Sequence, residues 1–157
     1  MTQAATTDRP TIAIQQVDHI GIRVRDLERA LAFYDALGFK LHVKVPYDDV
    51  AIIRNDANVE INLIINANAG DPARNILMDV PEKYAGYTHV ALRVSSIAKT
   101  MAALKAHGIA ITQGPVSFGA DGHVSVFVRD ADRNVIELRG RAEDASTLEG
   151  VKRYTPE

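Results

Sequence analysis

The chain of 157 residues contains no cysteine. That absence removes disulfides, thiolate nucleophiles and sulfur-ligated zinc or iron–sulfur centres together. Any metal it holds must be bound by nitrogen and oxygen. No apolar run approaches the ~20 residues of a membrane-spanning helix, and no basic run is longer than a pair. The net charge of −2 comes from interspersed opposite charges, so neither a membrane nor nucleic acid is expected as a partner. The stretch Met1 to Pro10 is polar and lacks the apolar centre of a secretory signal, which makes a cytoplasmic location the expectation. What is present is an ordinary globular composition, 46% hydrophobic and 24% charged, at the length of one domain.

The strongest internal signal is a duplication. His19-Ile-Gly-Ile-Arg-Val returns 70 residues later as His89-Val-Ala-Leu-Arg-Val. The same offset pairs Leu27 with Ile97, Ala32 with Ala102 and Gly38 with Gly108. One small module is therefore used twice.

In the first copy, Val17 to Val24 alternates as a strand, with Ile20, Ile22 and Val24 on one face and His19, Gly21 and Arg23 on the other. Asp26 fits a helix N-cap; Leu27, Ala30, Leu31 and Tyr34 recur at helical spacing, and Gly38 ends the helix. Strands are expected at Phe39 to Val45, Val50 to Arg54 and Val59 to Ile65. The second copy predicts strand Thr88 to Val94, helix Ile97 to Ala106, and strands Ile109 to Gln113, His123 to Arg129 and Val135 to Gly140. The expected order is a flexible lead (1–14), a first βαβββ module (15–68), a linker (69–86), a second βαβββ module (87–140) and a polar tail (141–157). A short strand is expected at Ile76 to Val80 and a short helix in the tail, where Val151 and Tyr154 could dock on this chain or a partner. The fold class is α+β, two tandem βαβββ modules forming a curved mixed sheet, with a helix on one face of each module and a shared cleft enclosed by the other.

Each copy places a histidine near the start of its first strand and a glutamate on its last: His19 and Glu60, His89 and Glu137. Taken singly, each reads as a solvent-facing residue of a half-exposed sheet. Their recurrence at matching places of a duplicated module argues for one shared metal site. Two carboxylates brought close together repel, and a divalent cation removes that conflict. An N₂O₂ donor set suits nickel, cobalt, manganese, iron(II) or zinc, one ion per site. His123, beside Gly122 at the mouth of a strand, reads as a loop histidine or as a second acid–base group at the substrate. His42 and His107 read as structural.

The segment His19 to Leu41, with Asp-Leu-Glu-Arg-Ala-Leu-Ala-Phe-Tyr-Asp and Leu-Gly-Phe, and the closing Phe127-Val-Arg-Asp-Ala-Asp-Arg-Asn-Val-Ile-Glu137-Leu resemble the vicinal oxygen chelate superfamily. That group includes glyoxalases, extradiol dioxygenases, methylmalonyl-CoA epimerases and bleomycin-resistance proteins. The His, Glu, His, Glu set is similar to that of lactoylglutathione lyase, and Glu60 is the discriminating member, since epimerases commonly carry Gln there. The resemblance implies a metal-dependent isomerase or lyase acting through an enediolate of a small carbonyl substrate, a glutathione adduct being one candidate. It implies Glu137 by preference as catalytic base, Glu60 staying bound or exchanging roles with it, and Arg23 anchoring a substrate carboxylate. It also implies a homodimer, in some relatives with the cleft built across the interface. Ile64 stands where glyoxalases have an Asn that contacts glutathione, and Asp130-Ala131-Asp132-Arg133-Asn134 replaces their usual Asp-Pro-Asp-Gly turn, a change expected to affect only the hairpin. Two alternatives stay open: an iron(II) dioxygenase-like enzyme using His19, His89 and Glu137, or a non-catalytic protein that binds a small molecule.

Overall fold

The computed structural model describes residues 8–70, 74–119, 121–141 and 150–155. Two strand–helix–three-strand units follow one another. The first comprises β1 (Ile20–Arg23), α1 (Leu27–Ala36), β2 (Lys40–Lys44), β3 (Val50–Arg54) and β4 (Glu60–Ile64). The second comprises β5 (His89–Arg93), α2 (Ile97–Ala106), β6 (Ile111–Ser117), β7 (His123–Arg129) and β8 (Val135–Arg141), with a two-residue β9 (Lys152–Arg153) added from the tail.

Local chemistry sets the helix limits. The Asp26 side chain accepts the backbone N–H of Arg29 at 2.8 Å, and Ser96 does the same for Lys99 at 3.1 Å. At the other ends Gly38 and Gly108 adopt positive φ, +91° and +67°, where an L side chain would be strained. Both helices are thus closed by residues readable from the sequence.

The sheets are mixed, as the fold class expected. Their orders are β1-β4-β3-β2 and β5-β8-β7-β6-β9, with β1 parallel to β4 and β5 parallel to β8. A helical crossover returns the chain to the end of the sheet where the first strand began, so the strands it joins run the same way. Sequence alternation carries no information on that direction.

Two expectations for the connections fail. Ile76 to Val80 forms turns instead of a strand, because the Asn75 side chain accepts the backbone N–H groups of Leu77 (3.0 Å) and Met78 (3.2 Å) and curls the chain. In the tail, part of the expected helix lies outside the described residues, and Lys152–Arg153 is a strand parallel to β6. Tyr154 docks on its own chain: its N–H reaches the Ser117 carbonyl at 2.8 Å and its ring lies 5.0 Å from that of Phe118.

One apolar core serves both modules. Val24, Ala30, Tyr34, Ile53, Ile61 and Leu63 from the first join Leu104, Val126, Val128, Ile136 and Leu138 from the second. The helix-bearing sides of the two sheets therefore share an interior, and their other faces carry the polar strand residues. The closing turn of the second module locks the pair. Tyr34 donates its hydroxyl to Asp130 Oδ2 at 2.9 Å, the Arg25 backbone N–H reaches Asp132 at 3.3 Å, and Asn134 donates to the Arg23 carbonyl at 3.1 Å. Asp79 of the linker holds both Arg129 (3.0 Å) and Arg133 (2.8 Å). The altered turn is thus an inter-module clamp, beyond the hairpin role expected of it. Burial, followed by the Asp130 charge, pushes the Tyr34 phenol well up. Burial likewise raises the Asp130 carboxyl, whereas the Arg133 hydrogen bond holds Asp79 well below the usual carboxylate range.

Candidate functional site

On the open face of the first sheet, donor atoms of Asp18, His19 and Glu60 lie within 4.8 Å of one another. Asp18 Oδ1 accepts from His19 Nδ1 at 2.6 Å. A ring whose Nδ1 carries the hydrogen has its lone pair on Nε2, the orientation a carboxylate imposes on metal-binding histidines. Glu60 is half-buried and paired: Arg54, directly opposite on β3, donates Nε (2.8 Å) and approaches with Nη2 (2.7 Å), both at Oε2. Arg54 Nη1 also lies 3.1 Å from His42 Nε2, so His42 backs the arginine.

The second half is drier. Glu137 is 7% exposed and Ser125 wholly buried. His89 Nε2 lies 3.1 Å from Glu137 Oε2, and Thr88 Oγ1 lies 2.9 Å from Nδ1 of the same ring. Ser125 donates its hydroxyl to Glu137 Oε1 at 2.6 Å. Arg139 Nη1 donates to Ser125 Oγ at 3.2 Å, while Nη2 is paired with Asp121. Asp18 and Thr88 stand at the same place of the repeat, 70 residues apart, and each touches the Nδ1 of the histidine that follows it.

The four predicted ligands form two pairs on two sheets. Among the described residues, neither His89 nor Glu137 joins the Asp18–His19–Glu60 group. Nor are the glutamates strict equivalents. Around the last hairpins the repeat offset is 75: Arg54 faces Glu60 as Arg129 faces Val135, and Asn58 and Arg133 share positive φ. Glu60 thus corresponds to Val135, and Glu137 to Asn62, one step further along the same face. Asn62 Oδ1 is buried without a hydrogen-bond partner, beside Gly21, over which the space is open.

The remaining predicted residues are accounted for. Arg23 is exposed and donates Nε to Asn66 Oδ1 at 3.0 Å, an amide in place of the acid that rim arginines often hold. His123 begins β7 on the face of Ser125. Its Nδ1 lies 3.3 Å from Asp121 Oδ2, off the hydrogen-bonding axis, and both ring nitrogens are buried without a hydrogen bond. His107 is the C-cap of α2, the structural place expected of it. Sequence reasoning missed Asp18, Thr88, Arg54, Ser125 and Arg139. The signal for Ser125 was there: it alternates with Val124 and Val126 and falls on the face of Phe127.

The arrangement offers imidazole nitrogen and carboxylate oxygen, each backed by a hydrogen-bond partner. That donor set fits a divalent cation of the borderline or hard kind.

Known proteins agree with the fold. A lactoylglutathione lyase of Haemophilus influenzae is 31% identical over 148 residues, covering 87% of this chain and 98% of that one. A mitochondrial methylmalonyl-CoA epimerase of Mus musculus is 26% identical over 127 residues, covering 78% and 70%. Among solved structures, a glyoxalase/dioxygenase from Nostoc punctiforme superposes with a TM-score of 0.65 at 20% identity, over 85% of this chain and 97% of that one. The model of the Glyoxalase/Bleomycin resistance protein/Dioxygenase superfamily matches residues 16–138, and the chain belongs to that superfamily.

Proposed function

We propose that the protein is a divalent-metal-dependent enzyme of the isomerase or lyase type, acting on a small carbonyl compound. His19, Glu60, His89 and Glu137 would hold the ion, and the two glutamates would handle the proton. The observation that carries this reading is the paired construction. Each half sets an imidazole beside a carboxylate and ties the ring's Nδ1 to the residue before it. Such outer contacts are characteristic of ligating histidines.

Bound there, the ion would act as a Lewis acid toward neighbouring substrate oxygens. This chain's own part is proton transfer. A carboxylate beside the reacting carbon removes a proton and returns it to an adjacent atom, with no change of oxidation state. Arg23, exposed at the far end of β1, is placed to take an anionic group of the substrate.

Because the two pairs stand on separate sheets, the reading favours a homodimer that brings one pair from each chain together. Its support is the exposed apolar surface of the first module: Leu41 (47%) and Val43 (40%) on β2, with Ile12, Ile14 and Val17 before β1. One relative is named a lactoylglutathione lyase, an activity of the lyase type proposed here.

Calorimetric titration of metal-stripped protein with nickel, manganese, iron(II) and zinc tests the reading, run beside Glu60→Gln. One ion per chain, bound at least tenfold more weakly by the variant, is the expected result. Tight binding indifferent to Glu60 would redirect the assignment to three-ligand chemistry, and no binding would sink it.

A further inference from the structure

We propose that Ser125 and Arg139 are positioning residues for Glu137, holding its carboxylate so that Oε2 is the one oxygen offered to the open face. The proposal rests on Glu137 being part of the site described above.

The hydrogen-bond directions leave one solution. A guanidinium only donates and a carboxylate only accepts. Arg139 Nη1 meets Ser125 Oγ at 3.2 Å, so the single hydroxyl hydrogen points at Glu137 Oε1, 2.6 Å away. Arg139 Nη1 is itself 3.8 Å from that oxygen and adds its charge. Asp121 fixes the other end of the guanidinium, and Ser125 and Arg139 face each other in register across β7 and β8. Phe127, across from Glu137, packs edge-on against the His89 ring at 5.8 Å and closes the remaining side.

With Oε1 committed inside the sheet, Glu137 is a one-oxygen donor of set direction. Glu60 differs: among the described residues its side-chain partner is Arg54, which is 42% exposed and meets the single oxygen Oε2 with both nitrogens. The brace therefore belongs to one half of the duplicated module only, since its register counterpart to Ser125 is Val50.

Two readouts on Ser125→Ala and Ser125→Thr test this, with Arg139→Met as an independent variant should the added methyl of Thr disturb a fully buried strand. The first is cobalt(II) affinity and visible spectrum; the second is the set of histidine ring nitrogen shifts of metal-free protein. Ser125→Ala should bind cobalt about 10- to 100-fold more weakly with an altered band, and Ser125→Thr should restore both. Without metal, Ser125→Ala should move the His89 signals and leave those of His19 in place. A lower Tm with cobalt binding, spectrum and His89 signals all unchanged would overturn the proposal, because a purely structural serine predicts that pattern. Wild-type protein that binds no cobalt defeats the metal reading by itself. The metal-free His89 signals then decide the brace, and their failure to move overturns it.

Discussion

The two halves of the duplicated chain solve one problem with different materials. In the first, the histidine leans on a carboxylate, Asp18, and the glutamate on a half-exposed arginine, Arg54. In the second, the histidine leans on a hydroxyl, Thr88, and the glutamate on a buried one, Ser125. A carboxylate beside Nδ1 permits only the tautomer with hydrogen there. A hydroxyl can donate or accept, so Thr88 imposes no tautomer on His89; Glu137 Oε2, which only accepts, favours hydrogen on Nε2 instead. The first half ties its imidazole to a carboxylate and leaves its glutamate to a half-exposed arginine; the second ties imidazole and glutamate to each other and braces the glutamate from inside. Duplication supplied the scaffold, and the neighbours of each ligand set how rigid it is.

The difference can be broken most visibly at the glutamates, in metal-free protein. Replacing Glu137 by Ala strands the buried Ser125 hydroxyl, while Arg139 keeps Asp121, and should cost about 2 kcal/mol of stability. The same change at Glu60 should cost less than about 1 kcal/mol, as exposed pairs do. Equal losses in denaturant titrations would erase the distinction between a rigid and a loose carboxylate.

A middle-sized effect is expected at Arg54. Its positive charge sits on one oxygen of Glu60 and competes with a cation for that carboxylate, so Arg54→Met should tighten divalent-ion binding by roughly tenfold, about 1.4 kcal/mol. Weaker binding on calorimetry would mean that the arginine orients Glu60 more than it competes for it.

The smallest effect sharpens how the halves are joined. Asp79 has its folded pKa lowered by Arg133, so its contribution is present above the unfolded value near ~3.9 and is lost as pH falls through the folded one. Asp79→Asn should therefore flatten the loss of stability below about pH 4. An acid-unfolding curve that keeps its wild-type slope there would remove Asp79 from the clamp's account.

Much of the fold was legible because its signals are local. Asp26 and Gly38 bracket α1, and Val50–Arg54 and His123–Arg129 stand where alternation places them. Mixed sheets were expected, but which strands pair in parallel was not legible, since period-two alternation is blind to it. Asn75 was also hidden: its side chain overrides an apolar run that looked like a strand. At the site, the sequence supplied residue types and their faces but not their neighbours. Arg54 and Ser125 act across strands, and cross-strand register depends on turn lengths that a repeat of 70 at the front and 75 at the back does not disclose.

Glu60 and Glu137 lie 77 residues apart where the hairpins repeat at 75, and that two-residue difference has a stereochemical meaning. Two residues along a strand are about 6.6 Å, so Glu60 and Glu137 stand on different rungs and no twofold axis can exchange them. A flat, prochiral carbonyl compound held between such halves would meet a carboxylate at unlike heights on its two faces. Handedness in the product would then follow from the rung on which each copy carries its glutamate, with no dedicated group needed to choose a side.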